Sequence, residues 1–333
     1  MTHTNYPAKT SQELSLQQEE LMVLAKKAKR YSDNALSAKT QRFYKDDWLI
    51  FDKWAGSQGF LSLPAKPEAI VLFLTAQAET AVTHHGKAIF LRPTTLIRRL
   101  AAIRHKHEEV GCDSPTQHKQ VRQVLNGIKR KYGMAIQKKA PATAERIASM
   151  IANCPDTLTG LRDKALILLG FAGAFRRSEL VALTMNDIER TPEGIKITIR
   201  KSKTDQEGQG QMIAILNGIR FRVVDALYAW LNAANINNGY LFRPIKKGGL
   251  IQPRALTDRS VANIVKLYAG KAGLTVNNFS GHSLRSGFIT SGAQAGADLF
   301  KLMEVSRHKK PETVIGYVRE SKLFEDHAGE KFL

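Results

Sequence analysis

Cysteine is nearly absent. Only Cys112 and Cys154 occur in 333 residues, too few for a disulfide framework or a cysteine-rich metal site. Long apolar runs are missing too: the longest nearly unbroken one, Ala165 to Phe175, falls short of the ~20 residues that a helix needs to cross a bilayer. No membrane span is therefore expected. The N-terminus lacks the apolar centre of a secretory signal, so a reducing, cytoplasmic location is expected. There is no Walker phosphate loop, and no carboxylate cluster of the kind that two-metal nucleases use.

Acidic residues are scarce beside basic ones. Fifty Lys and Arg face thirty Asp and Glu, a formal net charge of +20. Divided after Pro141, the chain has 23 basic and 12 acidic residues before the cut, and 27 and 18 after it. An excess in both halves points to a polyanionic partner gripped by both, as by a clamp. The plainer alternative is a soluble basic protein, since net charge speaks to partners and not to fold. Hydrophobic residues make up 43%, enough for real cores, and the length favours two domains.

Residues 1–12 are polar and unpatterned and read as a disordered arm, with a first helix through the apolar stretch at 21–24. Tyr44, Trp48, Phe51 and Ala55 recur at helical spacing and form one face, with Gly56 and Gly59 at its end. Pro67 opens a third helix that turns Ile70, Phe73 and Leu74 inward. Another begins near Pro93 with the stripe Leu96, Leu100 and Ile103. On its other faces Arg98, Arg99, Arg104 and Lys106 could meet DNA, with Gln41, Arg42 and Lys45 of the second helix as a companion surface. A charge run on a helix is more often a solvated face. His84, His85, His105, His107 and His118 have no evident partners and are expected to face solvent or phosphate. Residues 115–132 form one more basic helix, and periodicity is lost over 134–144, the expected linker.

Beyond the linker the pattern mixes helix and strand, with helices expected over 143–153, 158–174, 177–186, 219–233, 257–272, 282–295 and 298–306, and a last one carrying Tyr317. Gly194–Arg200 alternates apolar and polar side chains, and Gln211–Leu216 follows across a Gly-containing turn, so the two read as a hairpin. The domains expected are 13–133 and 145–333. The fold class expected is mainly α, with an all-helical first domain and a second, mixed α/β domain holding a small antiparallel sheet.

Chemistry concentrates in the second domain. Arg176 and Arg177 lie between two apolar helical stretches and invite an anion; Glu179, three residues past Arg176, could hold that guanidinium in place. His282 and Arg285, three apart, share a helical face and could address one phosphate together. His308 and Gly316-Tyr317 follow near the end. Each taken singly has a bland reading: a helix cap, a chance His-x-x-Arg pair, a surface histidine, a core tyrosine.

Taken in order, Arg176 with Ser178 and Glu179, Lys203 on the hairpin, His282 with Arg285, His308, and Tyr317 after Gly316 resemble the boxes of the tyrosine recombinase, or phage integrase, family, Cre-like and XerC- and XerD-like. The match spans roughly residues 160–320; the N-terminal part resembles the family's helical core-binding, SAM-like domain in pattern only. Arg176 is preferred to Arg177 because it keeps the spacing to Glu179.

The resemblance implies a site-specific DNA recombinase. Tyr317 would be the nucleophile that becomes linked to a 3′ phosphate, and Arg176 and Arg285 would fork onto the nonbridging oxygens. His282 and His308 would complete the site, His282 being the best proton acceptor, and Lys203 would protonate the leaving 5′ oxygen. A phosphotyrosine conserves the bond energy, so no ATP is expected; no metal or other cofactor is expected either. The resemblance further implies duplex DNA with paired recognition sites as partner, and homo-oligomers, a dimer on one site and a tetramer in synapsis. It also implies a bacterial, phage or plasmid source, with the protein associated with the nucleoid. A tail from Ser321 to Leu333 would dock on its own domain or on a neighbour. Two alternatives stay open: a type IB topoisomerase-like strand transferase, and a DNA-binding regulator without catalysis.

Overall fold

The computed structural model describes residues 11–84, 86–135, 138–200, 210–321 and 330. The chain divides into two compact units, Met1–Ile136 and Gln137–Leu333. The arm expected over 1–12 lies outside the described residues up to 10, and Ser11 already opens a helix.

The first unit contains helices α1 (Ser11–Asn34), α2 (Ala38–Ser57), α3 (Pro67–Glu79), α4 (Pro93–Glu109) and α5 (Lys119–Tyr132). Local chemistry fixes their starts. Ser37 caps α2, its Oγ accepting from the Thr40 amide at 3.2 Å. Pro67 and Pro93 occupy first helical positions, where the missing N–H costs nothing. α2 packs on α4 and α3 on α5, and the stripes meet in one core of Phe51, Ala55, Ile70, Phe73, Leu74, Leu96, Leu100, Ile103 and Val121. The Phe51 and Phe73 rings pack edge to face, with centroids 5.1 Å apart.

Two polar groups inside this unit depart from the expectation. His107 is fully buried; its Nε2 accepts from the Ala65 amide at 2.9 Å, which leaves Nδ1–H to donate to the Ile103 carbonyl at 2.8 Å. It is therefore a structural staple rather than a solvent-facing residue. Arg99 is also buried, because it follows Leu96 by three residues and so lies within the apolar stripe. Its neighbour Asp47 is 2% exposed and accepts from Arg98 Nε at 2.6 Å and Nη2 at 3.0 Å, with Arg99 Nε 3.6 Å away. A short antiparallel ribbon, β1 (Val82–His84) and β2 (Lys87–Ile89), adds a feature the sequence pattern does not announce. Three residues are too few for alternation to register.

The second unit holds α6 (Ala144–Ala152), α7 (Leu158–Ala172), α8 (Arg177–Ala182), β3 (Ile188–Arg190), β4 (Gly194–Ile199), β5 (Gln211–Leu216), α9 (Val223–Ala233), α10 (Asp258–Lys271), α11 (His282–Gln294), α12 (Leu299–Ser306) and α13 (Pro311–Ser321). The expected hairpin is β4–β5, registered Ile195 to Ile215 and Ile197 to Ile213, and β3 extends it to an antiparallel sheet of order β3-β4-β5. Ile195, Ile197, Ile199, Ile213 and Ile215 are buried on one face, while Lys196 and Met212 point out. The fold class is thus mainly helical with a small sheet.

α7 runs through the centre, with Ala165 to Leu169 wholly buried. It packs against α9 and α11. α13 lies on α11, where Ile289, Ala293, Leu302 and Val314 form a smaller apolar cluster against one side of Tyr317.

The chain entering this unit is pinned along α11, although 134–144 reads as a linker. The Ala142 amide donates to the Ser283 carbonyl at 2.8 Å, the Ala140 amide to the Asn278 carbonyl at 2.7 Å, and the Ala144 amide to Ser291 Oγ at 2.8 Å. Gly287 makes this approach possible: a Cβ there would lie 1.9 Å from the Ala142 carbonyl oxygen.

Two substitutions test these packing arguments. Asp47→Ala strips the buried Arg99 of its counter-charge and is expected to cost about 3–5 kcal/mol. Urea unfolding followed by tryptophan fluorescence measures it, and a loss under about 1 kcal/mol would mean that Arg99 escapes to water. Gly287→Ala is expected to destabilise the protein by the ~1–3 kcal/mol typical of overpacking, and so to lower the midpoint, with backbone rather than side chain in the way. An unchanged midpoint would show that residues 140–144 are not held against α11.

Candidate active site

Four helix termini and one helix face bring the candidate residues together. α7 ends in a tight turn whose Ala174 takes a left-handed φ of 43°, and Arg176 then stands at the N-cap of α8. Glu179, 3% exposed, grips it twice: Oε1 accepts from Arg176 Nη1 at 2.6 Å and Oε2 from the Arg176 amide at 3.0 Å. Burial opposes the Glu179 charge, but Arg307, followed by the amide and guanidinium of Arg176, holds its carboxyl below the usual value. Arg177 points elsewhere, its Nη2 3.9 Å from Asp258 Oδ2.

α11 begins at His282 and presents Arg285 one turn later. Arg285 is 1% exposed. Its Nη1 donates to the Ala174 carbonyl at 2.8 Å, and its Nη2 lies 3.3 Å from both ring nitrogens of His308. Burial, followed by the like charges of Arg176 and Arg307, pushes Arg285 down to about 9. The group is still protonated at neutral pH, but as a cation it is short of anionic company.

His308 follows the end of α12, its Nδ1 2.9 Å from Ser306 Oγ. Burial and the adjacent Arg285 and Arg176 push it down to about 3. His282 presents an edge to solvent, yet desolvation of its inner side, followed by Arg285, Arg176 and Arg177, holds it below the ordinary imidazole value. Both rings are therefore neutral at pH 7 and keep a lone pair.

Tyr317, half-buried on α13, closes the group, with its hydroxyl 3.1 Å from His282 Nε2. The structure thus gathers Arg176, Glu179, His282, Arg285, His308 and Tyr317 in one place. Lys203 lies outside the described residues.

Two further side chains sit at the site that the motif reading does not single out. Arg307, fully buried, pairs with Glu179 Oε2 at 2.9 Å. Lys138 lies over the Tyr317 ring, its Nζ 5.7 Å from the centroid. Arg307 left only one trace in the sequence, its position beside His308. Lys138 fell in the stretch read as linker.

The residues suggested for DNA contact in the first unit are differently placed. Arg99 is buried against Asp47 and does not reach the surface. Arg98 is 41% exposed at its side chain while forked onto Asp47, and it also covers the Phe43 ring at 4.8 Å. Arg104 pairs with Glu108 at 2.6 Å and Lys106 with Glu109 at 2.9 Å, both at the surface. Arg42 lies 4.0 Å from Asp46, and Lys45 is exposed.

Comparison with known proteins bears on the family of the chain. A protein-family model described as the phage integrase family matches residues 142–323. An integrase/recombinase xerD homolog from Selenomonas ruminantium is 39% identical over 312 residues, which cover 92% of this chain and 88% of that protein. Tyrosine recombinase XerC from Pelotomaculum thermopropionicum is 28% identical over 226 residues, covering 66% and 68%. Among solved structures, the Tn1549 transposon integrase in complex with transposon right end DNA superposes with a TM-score of 0.59 at 15% identity, covering 88% of this chain and 92% of that one. The XerH site-specific recombinase bound to a palindromic difH substrate gives 0.56 at 17% identity, covering 78% and 70%. These two show the shared fold. A family match over more than half of the chain, and a relative this similar over nearly all of it, carry the conclusion: the chain belongs to the phage integrase family, the tyrosine recombinases.

Proposed function

We propose that this protein recombines DNA at specific sites, cutting and rejoining strands through a transient bond between Tyr317 and a 3′ phosphate. The observation that carries the reading is the 3.1 Å contact between the Tyr317 hydroxyl and His282 Nε2, beside the buried guanidinium of Arg285, which is bonded to a carbonyl rather than to a carboxylate.

The roles follow from charge. A phosphodiester resists attack because it is negative, and its transition state adds charge on the nonbridging oxygens. Arg176 and Arg285 present fixed forks of donors to those oxygens, the electrostatic stabilisation that dominates such sites. His308, neutral against Arg285, adds a hydrogen bond. A phenol with a free pKa of about 10 needs help to attack at neutral pH, and neutral His282 accepts its proton. Lys203 protonates the 5′ oxygen as it leaves, an assignment supported by the sequence match alone. The phosphotyrosine is again a phosphodiester, so a 5′ hydroxyl can reverse the step without ATP, and the arginines supply the charge that a metal would.

Duplex DNA with paired sites is the proposed partner, and both units carry the basic excess to hold it. In the first unit Arg42, Lys45, Arg98, Arg104 and Lys106 are the proposed contacts. Cleavage at two sites requires several protomers, a dimer on each site and a tetramer in synapsis. The proposed location is cytoplasmic, on the nucleoid; among the described residues no helix is long and apolar enough to cross a membrane.

Duplexes selected by the protein from a randomised pool, nicked near the point of cleavage, test the chemistry. The native protein is expected to form a covalent adduct visible on a denaturing gel, and Tyr317→Phe to form none while binding the same DNA. An adduct in the Phe variant would remove Tyr317 as nucleophile.

The histidines set a pH dependence. Because both are depressed, the neutral, proton-accepting form persists below the ordinary imidazole value and is lost only as pH falls through the lower value in the folded protein. The rate at subsaturating DNA, which reports the unbound protein, is expected to stay level as pH drops past about 6.5. A fall centred there would mean that His282 is not desolvated as described.

A further inference from the structure

Arg307 stands where helix α12 ends, with φ 57° and ψ 43°. This left-handed conformation is one that glycine adopts freely and that a residue with a Cβ resists. Something must hold an arginine there. Its side chain is 1% exposed and every visible partner is internal. Nη2 donates to Glu179 Oε2 at 2.9 Å and to the Ala174 carbonyl at 3.1 Å. Nη1 donates to the Gly173 carbonyl at 2.9 Å and to the Val305 carbonyl at 2.6 Å. The guanidinium also lies over the Phe175 ring, 5.1 Å from its centroid.

Those partners are the ones that place the phosphate-binding groups. Glu179 is the carboxylate that grips Arg176, and its other oxygen is taken by Arg307. The Ala174 carbonyl receives Arg285 Nη1 as well as Arg307 Nη2. His308, against Arg285 Nη2, is the next residue in the chain.

We propose that Arg307 is a positioning residue for the strand-transfer reaction. It ties the turn 173–176, the start of α8 and the end of α12 into one frame, and so fixes the spacing of Arg176, Arg285 and His308 around the phosphate without touching it. Its fork geometry does this, since one guanidinium reaches four acceptors on three segments. Its charge lets Glu179 stay ionised between two arginines in a dry place. The inference rests on the reading of this cluster as the site that holds the scissile phosphate.

Single-turnover adduct formation on the nicked duplex, at saturating DNA, tests it. Arg307→Lys keeps the charge but loses the fork. It is expected to slow the step about 10- to 100-fold, the scale of a small misplacement of catalytic groups, while DNA affinity stays within about twofold. Arg307→Gly frees the backbone and removes the side chain, and is expected to be at least as slow. Within an Arg176→Lys background, Arg307→Lys is expected to cost clearly less than it does alone, because one of the forks it aligned is already gone. A native rate in either Arg307 variant, or losses that simply multiply in the double variant, would overturn the proposal. So would a melting curve showing Arg307→Lys unfolded at the assay temperature, since the residue would then serve the fold rather than the site. Failure of the native protein to form the adduct is a separate result, and it would instead remove the phosphate reading itself.

Discussion

The site is organised by a single buried carboxylate. Glu179 is nearly inaccessible to water, yet it stays ionised because Arg307 and Arg176 close around it. One negative charge cannot satisfy every cation gathered there, and the shortfall falls on Arg285, which is buried and bonded to a carbonyl rather than to a carboxylate. A cation so placed has lost its water and gained only a dipole in return. The protein thus holds a deficit of negative charge at one point, and a phosphodiester is the ligand that would fill it.

The same deficit governs the histidines. An imidazole beside an unpaired guanidinium cannot readily take a second positive charge, so His308 and His282 are driven neutral by their surroundings. For His282 this has a chemical consequence, because Nε2 is the ring nitrogen within reach of the Tyr317 hydroxyl, and in the tautomer protonated at Nδ1 it carries the lone pair. A phosphate entering the site would reverse part of the repulsion and make both rings more basic. Proton acceptance by His282 is then most favourable when substrate is in place.

The sequence made much of this legible, for reasons that can be named. Helical spacing exposes the stripes of α2, α3 and α4, and the starts at Pro67 and Pro93 because proline has few other places in a helix. The pairs Arg176 with Glu179 and His282 with Arg285 are i, i+3 relations, visible in one dimension. What stayed hidden depends on contacts between distant segments. Arg307 bonds to a turn more than a hundred residues away, and no local rule marks it. Lys138 reads as linker because the bonds that pin residues 139–142 go to Asn277, Asn278 and Ser283. The β1–β2 ribbon is too short to carry a period. Arg99 is different, since its place in the stripe with Leu96, Leu100 and Ile103 was visible, and its charge argued against what its position said. His107 repeats the lesson, lying four residues beyond Ile103, whose carbonyl it bonds.

That lesson bears on which basic residues of the first unit can serve a polyanion. Arg104 and Lys106 are held by Glu108 and Glu109 at the surface, in pairs that water screens and that add little to stability. Such pairs exchange a carboxylate for a phosphate at small cost, and the lysine or arginine keeps its reach. Arg98 is bound differently, because Asp47 is buried and already serves Arg99. Pulling Arg98 away would leave Asp47 and Arg99 to balance each other at a poorer distance, with two polar atoms of Arg99 already lacking a hydrogen bond. Arg98 can therefore touch a phosphate only with the guanidinium edge that Asp47 leaves exposed, which fixes its direction. On the proposed DNA partner, a basic residue held this way would report position, whereas the freely paired ones on the same helix would contribute charge.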